Sequence, residues 1–343
     1  MSVRTRPANA GATEVAEVLP ADVPPDPDLQ ALAARVRELH ARVLAEIDRV
    51  VVGMDEVARQ LMVALLASGH VLLEGVPGVA KTTLSKIFAR ILGSQYQRVQ
   101  FTPDLLPSDV TGTYIYDRKI NEFVLRKGPI FCQVLLADEI NRAPAKTQSA
   151  LLEAMQEYQV TIEGTTLPLP QPFLVLATQN PVEQEGVYRL PEAQLDRFLL
   201  RVEMGYPGHD FEVQMLKLHS KPAVDVDPIC TTDQILEMQG RLGEVYGADS
   251  LLHYIINVAE ASRVHPDVAL GASPRAALCL LRCARARALL DGRHYFTHAD
   301  VQAMALGVLS HRLIIRPEAE VEGKRVEDVV KELLETVPVL ETV

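Results

Sequence analysis

Apolar residues near the start of the chain recur at helical spacing. Leu32, Val36, Leu39, Val43 and Ile47 fall every three or four positions between Leu29 and Val50, and a second helix is expected over Glu56 to Ala67. Further on, the period changes. Short apolar runs at His70–Glu74, Arg98–Phe101, Gln133–Ala137, Phe173–Ala177 and Phe198–Val202 alternate with helical patterns. Such runs predict parallel strands covered on both faces. Two segments break the alternation. Thr111 to Arg126 places Thr-Tyr-Ile-Tyr and Glu-Phe-Val-Leu around a polar centre, and Gln159 to Leu169 places Val-Thr-Ile and Thr-Thr-Leu around Glu163 and Gly164. Both read as β-hairpins projecting from the core, as contact devices that move with nucleotide state or as plain decorative loops. After Gly205-Tyr-Pro-Gly208 the strand signals stop, and helix follows helix from Phe211 onward. Ser273 and Pro274 open one of them as cap and first turn, and Gly292 lies just past its end.

The resulting fold class is α/β: a parallel sheet flanked by helices around a phosphate loop, with a C-terminal all-helical lid. The expected domains are a flexible tail over 1–28, an ATPase core over 29–205 that carries the hairpins at about 111–126 and 159–169, and a lid over 206–343.

Composition narrows the class. Hydrophobic residues make up 48% of the 343, which fits a globular chain with room for two domains. The net charge of -11 disfavours indiscriminate nucleic-acid binding, which depends on basic surface. No apolar run is long enough to span a bilayer, and Met1 to Asp28 lacks the apolar core of a secretory signal. Four cysteines in a chain this long suggest small buried hydrophobes in a reducing cytoplasm. Cys279 and Cys283 share a helix face but have no ligand partners nearby, and the nine histidines form no cluster with them.

The chemistry is concentrated in three places. Gly75-Val-Pro-Gly-Val-Ala-Lys81-Thr82 follows a strand and opens a helix. In that setting Gly75, Val76, Pro77, Gly78, Val79, Ala80, Lys81, Thr82 and Thr83 form the nucleotide-binding loop: its backbone N–H groups face phosphate oxygens, Lys81 adds positive charge, and Thr82 offers a hydroxyl to Mg²⁺. Ala80 stands where glycine is usual before the lysine, so a backbone of ordinary negative φ is expected there. Asp138 and Glu139 end a strand of Val, Leu, Leu and Ala: Asp138 as a support for Mg²⁺, Glu139 as the group that orients or deprotonates water. Asn180 ends the next core strand, where its amide can hold that water or the γ-phosphate.

Longer strings carry a resemblance. Phe101 to Gly112, Asp138 to Glu153, Leu190 to Phe198 and Gly271 to Ala276 resemble AAA+ ATPases of the MoxR family, over roughly residues 30 to 340. That family's phosphate loop frequently carries alanine at the position of Ala80. The resemblance implies Mg-ATP hydrolysis in a homo-oligomeric ring, usually hexameric. It also implies chaperone-like or activase-like remodelling of a partner protein through a von Willebrand factor A-domain protein. Asn180 looks like the first sensor. Arg197 looks like an arginine finger reaching a neighbouring subunit's γ-phosphate, and Arg275 like a second sensor that ties the helical lid to the same phosphate, so that the lid swings as that contact is gained or lost. Val52, with Val51 and Gly53, resembles the segment that touches adenine, and Arg142 resembles a further interface arginine. Alternatives are a magnesium-chelatase-type motor subunit, a nucleic-acid motor, and a nucleotide-binding scaffold without turnover.

Overall fold

The computed structural model describes residues 23–180, 188, 190–219 and 225–339. Most of the expected N-terminal tail therefore lies outside the described residues, and the first helix already includes Pro27 and Asp28.

Two helices lead in: α1 (Pro27–Asp48), capped by the Asp26 carboxylate accepting from the Leu29 N–H, and α2 (Asp55–Leu66). Next come β1 (Val71–Gly75), α3 (Lys81–Ile91), β2 (Tyr96–Gln100) and the short α4 (Pro107–Thr111). The first hairpin is β3 (Gly112–Asp117) with β4 (Glu122–Lys127). Then follow β5 (Val134–Asp138), α5 (Ala145–Glu157), the second hairpin β6 (Gln159–Ile162) and β7 (Thr165–Pro168), β8 (Leu174–Gln179), α6 (Glu192–Leu195) and β9 (Leu200–Met204). The C-terminal part holds α7 (His209–His219), α8 (Thr232–Arg241), α9 (Asp249–Val264), β10 (Val268–Leu270), α10 (Pro274–Leu290), α11 (His298–Leu309), β11 (Ile314–Ile315), α12 (Pro317–Val321) and α13 (Val326–Thr336).

All five predicted core strands form. They make one sheet in the order β2-β5-β8-β1-β9, and every pairing is parallel. Alternation along each strand sends side chains to opposite faces. Val71, Leu73, Val134, Leu136, Leu174 and Leu176 point to one side, where α1, α2, α3 and the lid helices pack. Leu72, Leu135, Ala137, Val175 and Ala177 point to the other, against Phe101, Leu151, Leu152 and Met155.

The C-terminal part is not purely helical. Val268–Leu270 pairs antiparallel with Ile314–Ile315 in a small ribbon, too short for a periodicity of two to register in the sequence. Nor is the second hairpin a free projection. Val160 and Ile162 are buried in the core while the opposite face of the same strand is exposed. The first hairpin does project: Tyr114 and Leu125 touch the core at its base, and the Tyr116 and Phe123 rings sit exposed near its tip, 5.4 Å apart.

Candidate active site

The phosphate loop joins the C-terminal end of β1 to the N-terminus of α3. Gly75 is fixed by packing, because a Cβ there would lie 2.4 Å from the Met204 carbonyl oxygen on β9. The expectation of an ordinary backbone at Ala80 is overturned. Ala80 has φ 59°, in the left-handed region, and directly precedes α3. Alanine can hold that conformation only because the turn into α3 requires it, at a cost of about 1–2 kcal/mol. Lys81 donates from Nζ to the Gly75 carbonyl at 2.6 Å, so the lysine spans its own loop.

Across the loop stand Asp138 and Glu139. Thr178 on β8 organises both: its hydroxyl donates to Asp138 Oδ1 at 2.6 Å and accepts from the Glu139 N–H at 2.8 Å. Asp138 Oδ2 takes bonds from Arg98 Nη2 and Nε at 2.7 and 3.1 Å. The backbone of Glu139 is left-handed, at φ 55°, and opens a short turn over Ile140–Arg142. Its Oε2 accepts from Gln100 Nε2 at 2.7 Å and lies 3.1 Å from Arg142 Nε. Arg142, expected at an interface, therefore pairs with Glu139 of its own chain. Arg98 Nη2 also donates to Gln100 Oε1 at 2.7 Å, so two residues of β2 hold the carboxylate that ends β5 and the one that follows it.

Pro77, Lys81, Thr82, Thr83, Asp138, Glu139, Thr178 and the buried Asn180 line one cleft of about 480 Å³. Its donor set suits a magnesium–triphosphate: an ammonium, the hydroxyls of Thr82 and Thr83 and hard carboxylate oxygens, with the start of a helix facing in. A Cβ at Gly78 would meet nothing within 4 Å, which leaves the loop open on the cleft side. Gly78, Ala80, Thr83 and Met215 are shared with an adjoining, more apolar pocket of about 270 Å³. Val51, Val52, Met54, Tyr206, Phe211 and Met215 supply its walls. Val52 therefore lines the pocket that adjoins the phosphate-loop cleft. Gly53 has φ 76°, and a Cβ on it would strike the Phe211 ring at 2.9 Å. The part played by Thr178 and by Tyr206, Phe211 and Met215 was missed in the sequence. An exposed aromatic directly after the last core strand was the available signal for the second group.

Arg197 and Arg275 do not reach this cleft. Both line a separate pocket of about 210 Å³ with Arg282, Arg312, Tyr158 and His70. His70 and Leu199 precede β1 and β9, and the Leu199 N–H donates to the His70 carbonyl at 2.8 Å. The pocket therefore lies at the N-terminal ends of the strands, whereas the phosphate loop lies at their C-terminal ends. The length of β1, roughly 16 Å for five residues, separates them. Arg197 donates to the Leu152 carbonyl at 3.0 Å and to the Gln156 side chain. Arg275 Nη1 lies 4.0 Å from Asp196 Oδ2. Arg275 thus lies at the opposite end of the strands from the Lys81 loop of its own copy. Helix α10 packs against α1 and α2, and that docking carries its first turn to the far edge of the sheet.

Comparison with known proteins agrees with this architecture. Residues 70–200 match the family model "ATPase family associated with various cellular activities (AAA)", and residues 260–333 match the AAA lid domain. Chaperone MoxR1 of Mycobacterium tuberculosis is 43% identical over 343 aligned positions, covering 96% of this chain and 91% of its own length. The chain is a MoxR-family AAA+ ATPase. The uncharacterized protein YeaC of Bacillus subtilis is 47% identical to this ATPase over 88% of the chain and 95% of YeaC. A crystal structure from Cytophaga hutchinsonii, assigned as an ATPase, superposes with a TM-score of 0.86 at 41% identity, covering 92% of this ATPase and 98% of that chain.

Outside these pockets, His265, Asp267 and Glu332 bring one ligand atom each to within 4.8 Å of one another. Lys324 Nζ donates to both carboxylates, and the group reads as an ion network tying α13 to the ribbon. Among the described residues no helix is long and apolar enough to cross a membrane.

Proposed function

We propose that this ATPase works as a ring, hexameric as the resemblance implies, in which each nucleotide lies between two copies. A core over 29–205 and a lid over 206–343 form each copy. The observation that carries this reading is the placement of Arg197 and Arg275 at the opposite edge of the sheet from Lys81, Asp138 and Glu139. One copy cannot bring them together, whereas the next can present its arginine edge to the first copy's open cleft.

In this reading the loop from Gly75 to Thr83 binds the triphosphate, and Val52 contacts adenine. Thr82 and Asp138 would hold Mg²⁺, which supplies charge neutralisation at the phosphates. Asp138 is freed for that task when Arg98 lets go of Oδ2. Glu139 receives the proton of the attacking water once Gln100 and Arg142 release its carboxylate, and Asn180 orients that water. Arg197 and Arg275 of the neighbour meet the charge that develops on the γ-phosphate. An arginine supplied from another chain is worth roughly 10³ to 10⁵ in rate.

The test is mixing. Arg197→Ala subunits keep a complete loop, and Lys81→Ala subunits keep a complete arginine edge. Each alone should turn over ATP poorly, while mixed rings should recover part of the activity. Mixed rings that form, by size, but stay inactive would refute action across the interface.

We further propose a chaperone-like role in the cytoplasm on a partner carrying a von Willebrand factor A domain. Its support is the identity to a protein named chaperone MoxR1 together with the family resemblance. A Glu139→Gln ring held in ATP should retain such a protein from its own cell extract. Retention of DNA instead, with DNA-stimulated turnover, would favour a nucleic-acid motor.

A further inference from the structure

Arg312 follows the end of α11 and is buried, with only 3% of its side chain exposed. Most of its hydrogen bonds go to the stretch that carries Arg197. Nε donates to Asp196 Oδ1 at 2.7 Å, Nη2 to the Phe198 carbonyl at 2.5 Å and the Asp196 carbonyl at 3.4 Å, and Nη1 to the Leu199 carbonyl at 3.2 Å. Its remaining bonds anchor it in the lid, to the Val308 carbonyl and to Cys279 Sγ. His311, its neighbour, is also buried and pairs through Nε2 with the same Phe198 carbonyl at 3.0 Å. Burial and the adjacent Arg312 charge hold that imidazole neutral, so Nε2–H is the donor.

Three features set this apart from an ordinary core ion pair. Desolvating a guanidinium is costly unless its geometry is fully used, and here nearly every N–H is. The carbonyls gripped flank Arg197 on both sides. And the one carboxylate involved is shared, since Asp196 Oδ2 faces Arg275, the other arginine of that edge. The lid thus holds the backbone on which Arg197 is mounted, from α10 and from the end of α11.

We infer that Arg312 and Asp196 form a positioning clamp through which the lid sets the reach of Arg197 into the adjoining copy's cleft. The inference rests on Arg197 acting across a subunit boundary. Arg312 is a positioning residue and touches no phosphate itself. A displacement of the finger by about an ångström is enough for a loss on the order of 10²-fold.

The test uses full-length rings of Arg312→Gln and, separately, Asp196→Asn. Each is assayed for affinity toward a fluorescent ATP analogue, for turnover, and for turnover after mixing with Glu139→Gln subunits, which keep an intact Arg197. The clamp predicts an affinity changed by less than about threefold, a turnover lower by about 10- to 100-fold, and recovery on mixing. A loss caused by damage to the variant's own cleft does not recover in that way. If thermal melts show Arg312→Gln to be unfolded, Asp196→Asn decides alone. The clamp is overturned if Asp196→Asn turns over ATP normally. It is also overturned if its loss persists on mixing while an Arg197→Ala and Glu139→Gln pair recovers. Should that control pair itself fail in rings that form, the finger's action in trans is wrong and the clamp falls with it.

Discussion

Ala80 and Glu139 both hold a left-handed backbone that their side chains disfavour, and both sit against the triphosphate cleft. Strain of about 1–2 kcal/mol at each persists because the surrounding turns leave no other path. The two differ in what relief would do. At Ala80 only a methyl group is at stake. Ala80→Gly should therefore keep ATP binding and raise unfolding stability by about 1 kcal/mol, read as a shifted urea midpoint. An unchanged or lowered midpoint would mean that the loop does not impose the conformation. At Glu139 the twist aims the carboxylate at Gln100 and Arg142, so relief there would also disturb those contacts. These backbone states were illegible in the sequence, since nothing in Val79-Ala80-Lys81 fixes a sign of φ. The residue types were legible, because a lysine after a glycine-rich turn and paired acids at a strand end have few other uses. Thr178 went unread because one threonine at the end of an apolar strand looks like any β-former.

The two hairpins show what pattern can and cannot say about an element. Both were visible as alternating runs around a polar centre, and both form. Only packing separates them. Ile162 is 5% exposed and Phe123 70%. Ile162→Ala should cost about 2–4 kcal/mol in chemical denaturation, as a large-to-small change in a core does. Phe123→Ala should cost under about 1 kcal/mol, mainly the ring contact with Tyr116. Equal costs would show the first hairpin to be as firmly seated as the second. The same limit explains Arg275. Its helix was readable from Ser273, Pro274 and the spacing that follows, but the edge of the sheet it faces is decided by α10 lying on α1 and α2. Contacts at that sequence separation leave no local trace.

At the scale of the whole molecule, buried histidines make the fold acid-sensitive. His70 accepts from the Val175 N–H at Nδ1 and pairs with the Met155 carbonyl through Nε2, at 3.0 and 2.9 Å. Burial pushes its pKa down to about 4, and burial also lowers those of His40 and His311. An unfolded histidine takes up a proton near 6.5, while the folded one resists until about 4. The stabilising effect of keeping His70 neutral is thus complete above pH 6.5. It is lost progressively as the pH falls toward 4, by about 3 kcal/mol for this one residue. Measured as the stability difference between wild type and His70→Gln, the gap should shrink over that window. A gap independent of pH would show that His70 is not held neutral.

One face of the sheet, α1 to α3 and most of the lid share a single apolar interior. A lid swinging freely on its own copy would have to prise that interior open, at about 2.5 kcal/mol for roughly every 100 Å² wetted. The bonds from Arg312 to Asp196, Phe198 and Leu199 add to the resistance. In a ring of the kind proposed, each copy would then act as a stiff body, and the work released at a seam would go into tilting one body against the next.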